Sequence, residues 1–411
     1  MTTKRRYSLM GATLGGFLAM LAPFPGHAAI NVQCPGDTNG SATWDGGEVQ
    51  PPNTKCMHLG AGDGFITMAD GATQYIFGFS DLTGLVTKPV PPDTGDDVMM
   101  EGMLGASFPA PPIMLDEGDE FYLTLTNVGM MMRPDLFDPH SVHYHGFPEA
   151  APIFDGVPDA SISINMGSSL TYYYKINDPG TYMYHCHVEA TEHMQMGMLG
   201  NLYVRPVQDG TAYTYGGRDY TKFAYNDGDG STGYDKDYPI QIGSMDSAFH
   251  NASLTVQPLP FALMEDDYPM LNGRGYPDTV NPAALPPPAG NVNGGKASQK
   301  ESSLIEAAPG ERVLLRISNL NVTRFYTLAT LGVDMTVVGM NAKLLRGPDG
   351  KDLYYQANSV TLGGGESVDA IIEIPVDATP GTTYFLYTTN LNYLSNNTEP
   401  FGGMMTEIRV N

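Results

Sequence analysis

An internal repeat is the feature of this sequence that most restricts how the chain can fold. In both copies, apolar and polar residues alternate between Gly/Pro turns, in the same order and at similar spacing. The first copy comprises residues 117–128, 167–187 and 196–206, and the second comprises 309–320, 364–390 and 402–411. Such alternation is typical of half-buried strands, and helical periodicity is scarce here. We therefore predict an all-β chain with two β-sandwich domains of the same fold in tandem.

The repeat and the composition around it also predict the domain boundaries. We expect an N-terminal extension at 29–64, a first domain at 65–206, a linker at 207–236 and a second domain at 237–411. Within the second domain, residues 276–300 are rich in Pro, Gly and Asn, which predicts a surface loop.

Residues 1–28 have the features of a cleaved signal peptide. Lys4, Arg5 and Arg6 precede an apolar stretch, and Ala28 ends a small-residue cleavage site. The pair Arg5-Arg6 fits a twin-arginine export signal, and a general secretory signal fits equally well. No later run is long and apolar enough to span a bilayer, so we expect a periplasmic or secreted protein.

The charge of the chain argues against one class of partner. At pH 7 the formal net charge is -24. A surface this acidic repels phosphate backbones, so we expect no nucleic-acid partner.

Export also affects how the three cysteines are interpreted. In an oxidising compartment Cys34 and Cys56 can form a disulfide, which leaves Cys186 unpaired. Cys186 lies in the stretch YHCHVEATEHMQMGM (184–198), directly between two histidines. A cysteine that only fills a core needs no such neighbours, so we interpret Cys186 as a metal thiolate.

A second histidine cluster lies upstream, in the stretch PHSVHYHGF (139–147). His143 and His145 are two residues apart, as are His185 and His187, so each pair shares one face of a strand. Cys186 then points to the opposite face. Four imidazoles could therefore converge on one or more copper ions on one side of the strands.

On the thiolate side, three further side chains can join Cys186. His193 and Met198 follow it in the next loop, and His140 comes from the neighbouring strand. Two histidines, one cysteine and a weak axial methionine are the ligand set of blue-copper sites. Zinc is a poorer match, because structural zinc sites use several cysteines at short spacing.

The segments HSVHYHG, DGVP, GTYMYHCH and HMQMGM together resemble the multicopper oxidase family. The resemblance covers both predicted domains and implies that each is a cupredoxin-like Greek-key β-sandwich. It implies a type 1 copper held by the thiolate-side residues His140, Cys186, His193 and Met198. It implies type 2 and type 3 copper on the other side, with ligands His143 for type 2 and His145, His185 and His187 for type 3.

The resemblance also implies an activity. Such a protein takes single electrons from a small reductant or a metal ion at the type 1 copper and passes them along Cys186. Dioxygen is the acceptor expected at the other copper centre. The second copy has Thr388, Thr389 and Asn390 at the positions of the HCH triplet, so we expect a second domain without copper ligands.

Two departures from the family pattern affect these expectations. Cys186 and His193 are seven positions apart instead of the usual five, although His193 and Met198 have the usual spacing. A complete trinuclear copper cluster uses eight histidines, and this chain has nine, of which six are already assigned to the two copper centres. His27 lies in the predicted signal, which leaves His58 as a surface histidine or ligand and His250 as a ligand for a neighbouring subunit.

The shortage of histidines leaves four functions open. A second copy in a homo-oligomer, with a trimer favoured by the resemblance, or a different chain could complete an oxygen-reducing cluster. Copper nitrite reductases use the positions of His145 and His185 for one copper, but they carry an acidic residue at the position of His143. A non-catalytic blue-copper electron carrier would have an incomplete second site. An oxidase of cuprous ion would suit the 24 methionines, although these also suit packing.

Overall fold

The computed structural model describes residues 30–88, 96–255 and 258–411. The predicted signal peptide lies outside the described residues. Within them the three α-helices are short, and none of the helices is long and apolar enough to cross a membrane.

The first domain is a sandwich of two four-stranded sheets. Its strands are β1 (Thr54–Thr67), β2 (Thr73–Asp81), β3 (Ala110–Asp116), β4 (Glu120–Gly129), β5 (His143–His145), β6 (Ser169–Lys175), β7 (Gly180–His185) and β8 (Leu199–Arg205). One sheet has the order β2-β1-β4-β6 and the other has the order β3-β8-β7-β5. Helix α1 (Val98–Gly102) lies between β2 and β3, and helix α2 (Ala190–Gln195) lies between β7 and β8.

A hairpin of β9 (Tyr213–Tyr215) and β10 (Arg218–Tyr220) connects this domain to a second sandwich. The strands of the second domain are β11 (Lys236–Met245), β12 (Tyr268–Leu271), β13 (Ile305–Ala307), β14 (Arg312–Asn319), β15 (Tyr326–Leu331), β16 (Met335–Met340), β17 (Lys343–Leu344), β18 (Tyr355–Ala357), β19 (Ser359–Leu362), β20 (Glu366–Glu373), β21 (Thr383–Thr388) and β22 (Met405–Val410). They form sheets with the orders β12-β11-β14-β20-β16-β17 and β13-β22-β21-β15-β19, and β18 pairs with β16. Helix α3 (Ser247–Ser253) follows β11. Short 3-10 helices occur at Pro152–Phe154, Phe261–Leu263, Asp278–Val280, Ala289–Asn291 and Leu391–Leu394.

The two sandwiches share strand order and direction, as the repeat predicts. β1 runs parallel to β4 and antiparallel to β2, and β11 has the same relation to β14 and β12. β7 lies between β5 and β8, and β21 lies between β15 and β22. The predicted all-β duplication is therefore confirmed.

The first domain begins earlier than the sequence analysis predicts. Strand β1 pairs with β4 from Thr54 onward, so residues 54–64 belong to the first sheet and not to an extension. Three glycines at positions 60, 62 and 64 weaken the strand signal of this segment, because glycine is depleted in strands. At Gly60 a Cβ would lie 2.6 Å from the Ser80 hydroxyl, so a larger residue there would displace the Ser80 side chain. The predicted disulfide between Cys34 and Cys56 is present and joins the preceding segment to this strand.

The contact between the domains is buried and largely apolar. Ile66, Met68 and Phe108 of the first domain pack in one cluster with Met245 and Met270 of the second. Part of the predicted surface loop 276–300 also lies in this contact and not on the surface. The side chains of Asn293 and Gln299 bond the backbone of Phe65 and Thr67, where β1 has extended beyond its pairing with β4.

Candidate metal centres

Cys186, the predicted thiolate ligand, directly follows strand β7. β7 pairs antiparallel with β5, with His143 opposite His185, so the two histidine segments lie side by side. Just beyond β7, the Cys186 N–H donates to the carbonyl of Met198 at 3.1 Å. The loop that leaves Cys186 therefore returns to it.

This loop and His140 form a compact cluster, which we name the thiolate site (His140, Cys186, His193 and Met198). Cys186 Sγ lies 3.2 Å from His193 Nδ1 and 3.8 Å from His140 Nδ1. Candidate ligand atoms of these three residues all lie within 4.8 Å of one another. Met198 belongs to the same buried cluster as Cys186, and all four residues are fully buried.

The unusual spacing between Cys186 and His193 does not separate these residues. Helix α2 occupies part of the longer loop and begins after Glu189, whose φ of 46° lies in the left-handed region. The His193 N–H donates to the Glu189 carbonyl at 3.0 Å, and the Met198 N–H donates to the His193 carbonyl at 2.8 Å. The extra residues are therefore absorbed by a helical turn that still brings His193 to the sulfur.

Burial keeps the thiolate site neutral unless a cation binds. It raises the pKa of Cys186 to about 12 and lowers the pKa of His193 to about 4. It also lowers the pKa of His140, with the neighbouring His193 as a second cause. A bound cation deprotonates a coordinating thiol, and imidazole with thiolate and thioether sulfur is a donor set that suits copper. The residues present therefore fit a copper ion.

The second cluster, which we name the histidine site, consists of His143, His145, His185 and His187. Candidate ligand atoms of the first three lie within 4.8 Å of one another, and His145 Nδ1 is 3.3 Å from His185 Nε2. The His187 ring centroid lies 5.1 Å from that of His143 and 5.6 Å from that of His185. The structure thus brings together all four predicted imidazoles, three of them closely enough to share one metal ion.

Hydrogen bonds orient two of these rings. His143 Nδ1 lies 2.6 Å from the carbonyl oxygen of Asp155 and 3.4 Å from its carboxylate. His185 Nδ1 donates to the carbonyl of Cys186 at 2.8 Å. When Nδ1 carries the proton, Nε2 is the atom available to a metal. Asp155 was not among the predicted site residues, although it opens the DGVP segment.

Burial also keeps imidazoles of the histidine site neutral. Burial, with the neighbouring imidazoles as a further cause, lowers the pKa of His185 to about 3. The pKa of His145 is lowered by burial and then by His143 and His187. Neutral imidazole is the form that binds metal, so these rings are ready to coordinate at neutral pH.

The family-level comparison agrees with this geometry. Two family models, both described as multicopper oxidase, match residues 90–209 and 265–408, which together are well over half of the chain. The chain belongs to the multicopper oxidase family. Copper is accordingly its cofactor.

The matches to curated relatives in this family cover only part of each protein. The chain is 33% identical over 108 residues to a multicopper oxidase of Talaromyces pinophilus, which is 26% of this chain and 16% of that protein. It is 28% identical over 258 residues to a multicopper oxidase of Mycobacterium tuberculosis, which is 62% of this chain and 45% of that protein. The matched part thus spans less than half the length of either relative.

Solved multicopper oxidase structures share the fold. A blue copper oxidase from Nitrosomonas europaea aligns with a TM-score of 0.61 and 22% identity, over 87% of this chain and 86% of that one. A copper nitrite reductase from the same organism aligns with a TM-score of 0.56 and 16% identity, over 87% and 94%. These likenesses concern the fold, and the predicted pair of cupredoxin-like domains is confirmed.

The second domain of the same chain faces the histidine site across a cavity of about 500 Å³. Its segments 320–325 and 364–365 line the cavity opposite the four imidazoles. Neither segment contains a histidine, cysteine or carboxylate. Gly365 has a φ of 89°, and a Cβ there would lie 2.4 Å from His145 Nε2. The second domain therefore covers the site without adding an imidazole or a thiolate.

The two remaining candidate histidines reach neither site. His250 is fully buried, with Nδ1 2.5 Å from the carbonyl oxygen of Tyr75 and Nε2 2.9 Å from that of Gln195. His58 is also fully buried, and its Nε2 lies 2.8 Å from the hydroxyl of Thr126. The prediction that His250 meets a neighbouring subunit is therefore wrong, as is the surface position of His58. A lone histidine in a sequence carries no signal of its burial, which explains both errors.

A second cavity, of about 700 Å³, contains two carboxylates that the sequence analysis missed. Asp138 and Glu189 line this cavity together with Leu136 and Phe261. A carboxylate oxygen of each lies within 4.8 Å of a ring nitrogen of His193. Burial raises the pKa of Asp138, and it also raises the pKa of Glu189, with the charge of Asp138 as a second cause. Their positions beside the predicted copper ligands in the sequence were the only available signal.

Proposed function

We propose that the protein is an exported oxidase that accepts single electrons at the thiolate site and delivers them to dioxygen at the histidine site. Copper bound at the two sites would supply the one-electron redox chemistry. The observation that carries this proposal is the convergence of His140 Nδ1 and His193 Nδ1 on Cys186 Sγ in a fully buried cluster.

The polypeptide between the sites supplies the electron path. Cys186 of the thiolate site is covalently adjacent to His185 and His187 of the histidine site. The His185 ring also donates a hydrogen bond to the Cys186 carbonyl at 2.8 Å. One strand end thus joins a ligand of each centre by a few bonds.

The 700 Å³ cavity suits a small reductant beside the thiolate site. Asp138 and Glu189 lie next to His193, and apolar side chains such as Leu136 and Phe261 complete the wall. These carboxylates can accept the proton that a phenol loses on oxidation, or they can attract a cationic reductant such as a metal ion. The reductants that fit are therefore small phenols and metal cations.

The histidine site, where the electron acceptor would bind, has fewer imidazoles than a complete trinuclear cluster. A second copy of the chain has no free histidine to add within the described residues, because both His58 and His250 are buried and engaged. A full eight-histidine cluster would thus need either the four histidine-site imidazoles of a second copy or a different chain. The homo-oligomer, with a trimer favoured, remains a prediction.

A second candidate function is favoured by one observation. His143, His145 and His185 are close enough to hold one metal ion within a single chain. Such a single three-histidine copper beside a blue-copper site would suit a nitrite reductase or an electron carrier with a simple second site.

Copper stoichiometry with turnover distinguishes these functions. We would measure copper per chain in the copper-loaded protein of known native mass, then oxygen uptake with a phenol or a cuprous salt. About two or more coppers per chain with oxygen uptake is the result expected of the oxidase. Anaerobic production of nitric oxide from nitrite, without oxygen uptake, would establish the second candidate instead. A blue protein that turns over neither acceptor would be an electron carrier.

The variant Cys186→Ser tests the thiolate site directly. Loss of the thiolate should abolish the blue absorption and the oxygen uptake together, while the fold is retained because Ser is nearly isosteric. The variant His58→Phe serves as a control for loss of a buried polar side chain remote from both sites. Blue absorption that survives in Cys186→Ser would refute the ligand assignment.

A further inference from the structure

His250 of the second domain contacts the loop that carries two of the thiolate-site residues. It lies on helix α3 and is fully buried. Its Nε2 lies 2.9 Å from the carbonyl oxygen of Gln195, which is the last residue of helix α2. His193 precedes this carbonyl by two residues, and Met198 follows it by three. The residue that His250 contacts therefore lies, along the chain, between the two thiolate-site residues of this loop.

The other nitrogen of the same ring faces the edge of the first sheet. Strand β2 is an edge strand, and His250 Nδ1 lies 2.5 Å from the carbonyl oxygen of Tyr75 on it. Two residues along, the Phe77 N–H donates to the Met196 carbonyl at 2.9 Å. The loop and the edge strand are thus joined by the hydrogen bond from Phe77 to Met196. Beside it, both segments contact the His250 ring.

Both carbonyl groups lack a partner within their own element. Carbonyls in the last turn of a helix receive no hydrogen bond from within the helix, and the carbonyls on the open side of an edge strand receive none from the sheet. Burial lowers the pKa of His250, so the ring is neutral, carries one N–H and donates to one of the two carbonyls at a time. A buried carbonyl without a donor is costly, so this donor from the second domain favours a placement in which both segments lie against the ring.

A second contact from the same domain acts on the same residue. The Gln195 side-chain amide donates to the carboxylate of Asp266 at 3.2 Å. Asp266 is itself held by the hydroxyls of Ser244 and Thr323, each at 2.5 Å. Gln195 is therefore bound to the second domain through both its backbone and its side chain.

We infer that His250 is a positioning residue for the thiolate site: it fixes helix α2 against strand β2 and thereby sets the placement of His193 and Met198 around the metal. This inference rests on the proposed function, because it assigns the role through the type 1 copper. It gives the second domain, which has no ligand of its own, a direct influence on the properties of that copper.

The test uses the full chain, loaded with copper, and three variants. His250→Phe keeps a planar ring but removes both polar nitrogens, and His250→Gln keeps an amide donor. His58→Phe is the matched control, because it also removes a fully buried imidazole with a hydrogen bond, but in strand β1 and away from this loop. The readouts are the reduction potential and blue absorption of the type 1 copper, and amide hydrogen exchange of residues 187–198 in the metal-free protein.

We expect His250→Phe to shift the potential and the absorption band and to accelerate exchange in 187–198 by about tenfold or more. His250→Gln should restore part of both effects and keeps the test valid if His250→Phe does not fold. His58→Phe should change neither readout, even where it lowers the melting temperature.

An unchanged potential and absorption band in the two His250 variants would overturn the inference, whatever the exchange data show, because the role would then be only structural. An equal shift in His58→Phe would overturn it as well. Absence of blue absorption in the wild-type protein would instead refute the proposed function. In that case the exchange of 187–198 alone decides whether His250 fixes the loop, and unchanged exchange would refute that claim too.

Discussion

Replacement of Gly365 by alanine tests the contact between the second domain and the histidine site. Gly365 has a φ of 89°, where a residue with a Cβ costs about 1–2 kcal/mol. The new Cβ would also lie 2.4 Å from His145 Nε2, about 1 Å inside an ordinary contact. The His145 ring must therefore move by about 1 Å, and a metal site tolerates only about 0.5 Å. We expect loss of copper from the histidine site, with the thiolate site and its absorption retained.

Gly381 provides the matched control for this variant. It has a φ of 91°, and a Cβ built there meets nothing within 4 Å. Gly381→Ala should therefore lose the same 1–2 kcal/mol of unfolding free energy without any effect on copper. Urea unfolding, copper per chain and blue absorption of both variants decide the matter. Equal copper content in Gly365→Ala and Gly381→Ala would refute the contact with His145.

Two further predictions concern stability. In the metal-free protein the folded-state pKa values of His185 and His193 are about 3 and about 4, below the ordinary value of about 6.5. The unfolded chain therefore binds more protons on acidification, and stability present above about pH 6.5 is lost as the pH falls through about 4 to about 3, by an order of a few kcal/mol. Urea unfolding at about pH 7 and pH 5 measures this loss, and equal stability at both would contradict the burial of the two imidazoles. Removal of the disulfide in a Cys34→Ser, Cys56→Ser double variant opens a loop with a separation of 22 residues and should cost about 3 kcal/mol, measured against the oxidised wild type.

The parts of both sites that the sequence predicted depend on local spacing. Alternation along a strand places His185 and His187 on one face and Cys186 on the other, whatever the rest of the chain does. The loop back to Met198 closes through backbone bonds within itself, such as that from Met198 to His193. Short-range geometry of this kind can be predicted from sequence.

The parts that could not be predicted depend on contacts between distant residues. His250 bonds Tyr75 across a sequence separation of 175, and Asn293 bonds Phe65 across 228. Local composition gave the opposite expectation for residues 276–300, because a Pro/Gly/Asn-rich segment is typical of a surface loop. Its contacts with Phe65 and Thr67 place part of this segment in the domain contact, and the pairing of β1 with β4 places residues 54–64 in the first sheet.

The duplication gives the second domain a different relation to copper from that of the first. Its strand β21 ends at Thr388, and the positions of the HCH triplet carry Thr388, Thr389 and Asn390 in place of the two histidines and the cysteine. Its influence instead comes through two contacts on separate elements, Gly365 against His145 and His250 against Gln195. These contacts act on different sites and share no residue, so changes at them should alter the histidine site and the thiolate site independently. We therefore expect a domain without ligands at these positions to affect both candidate copper sites of its neighbour through packing.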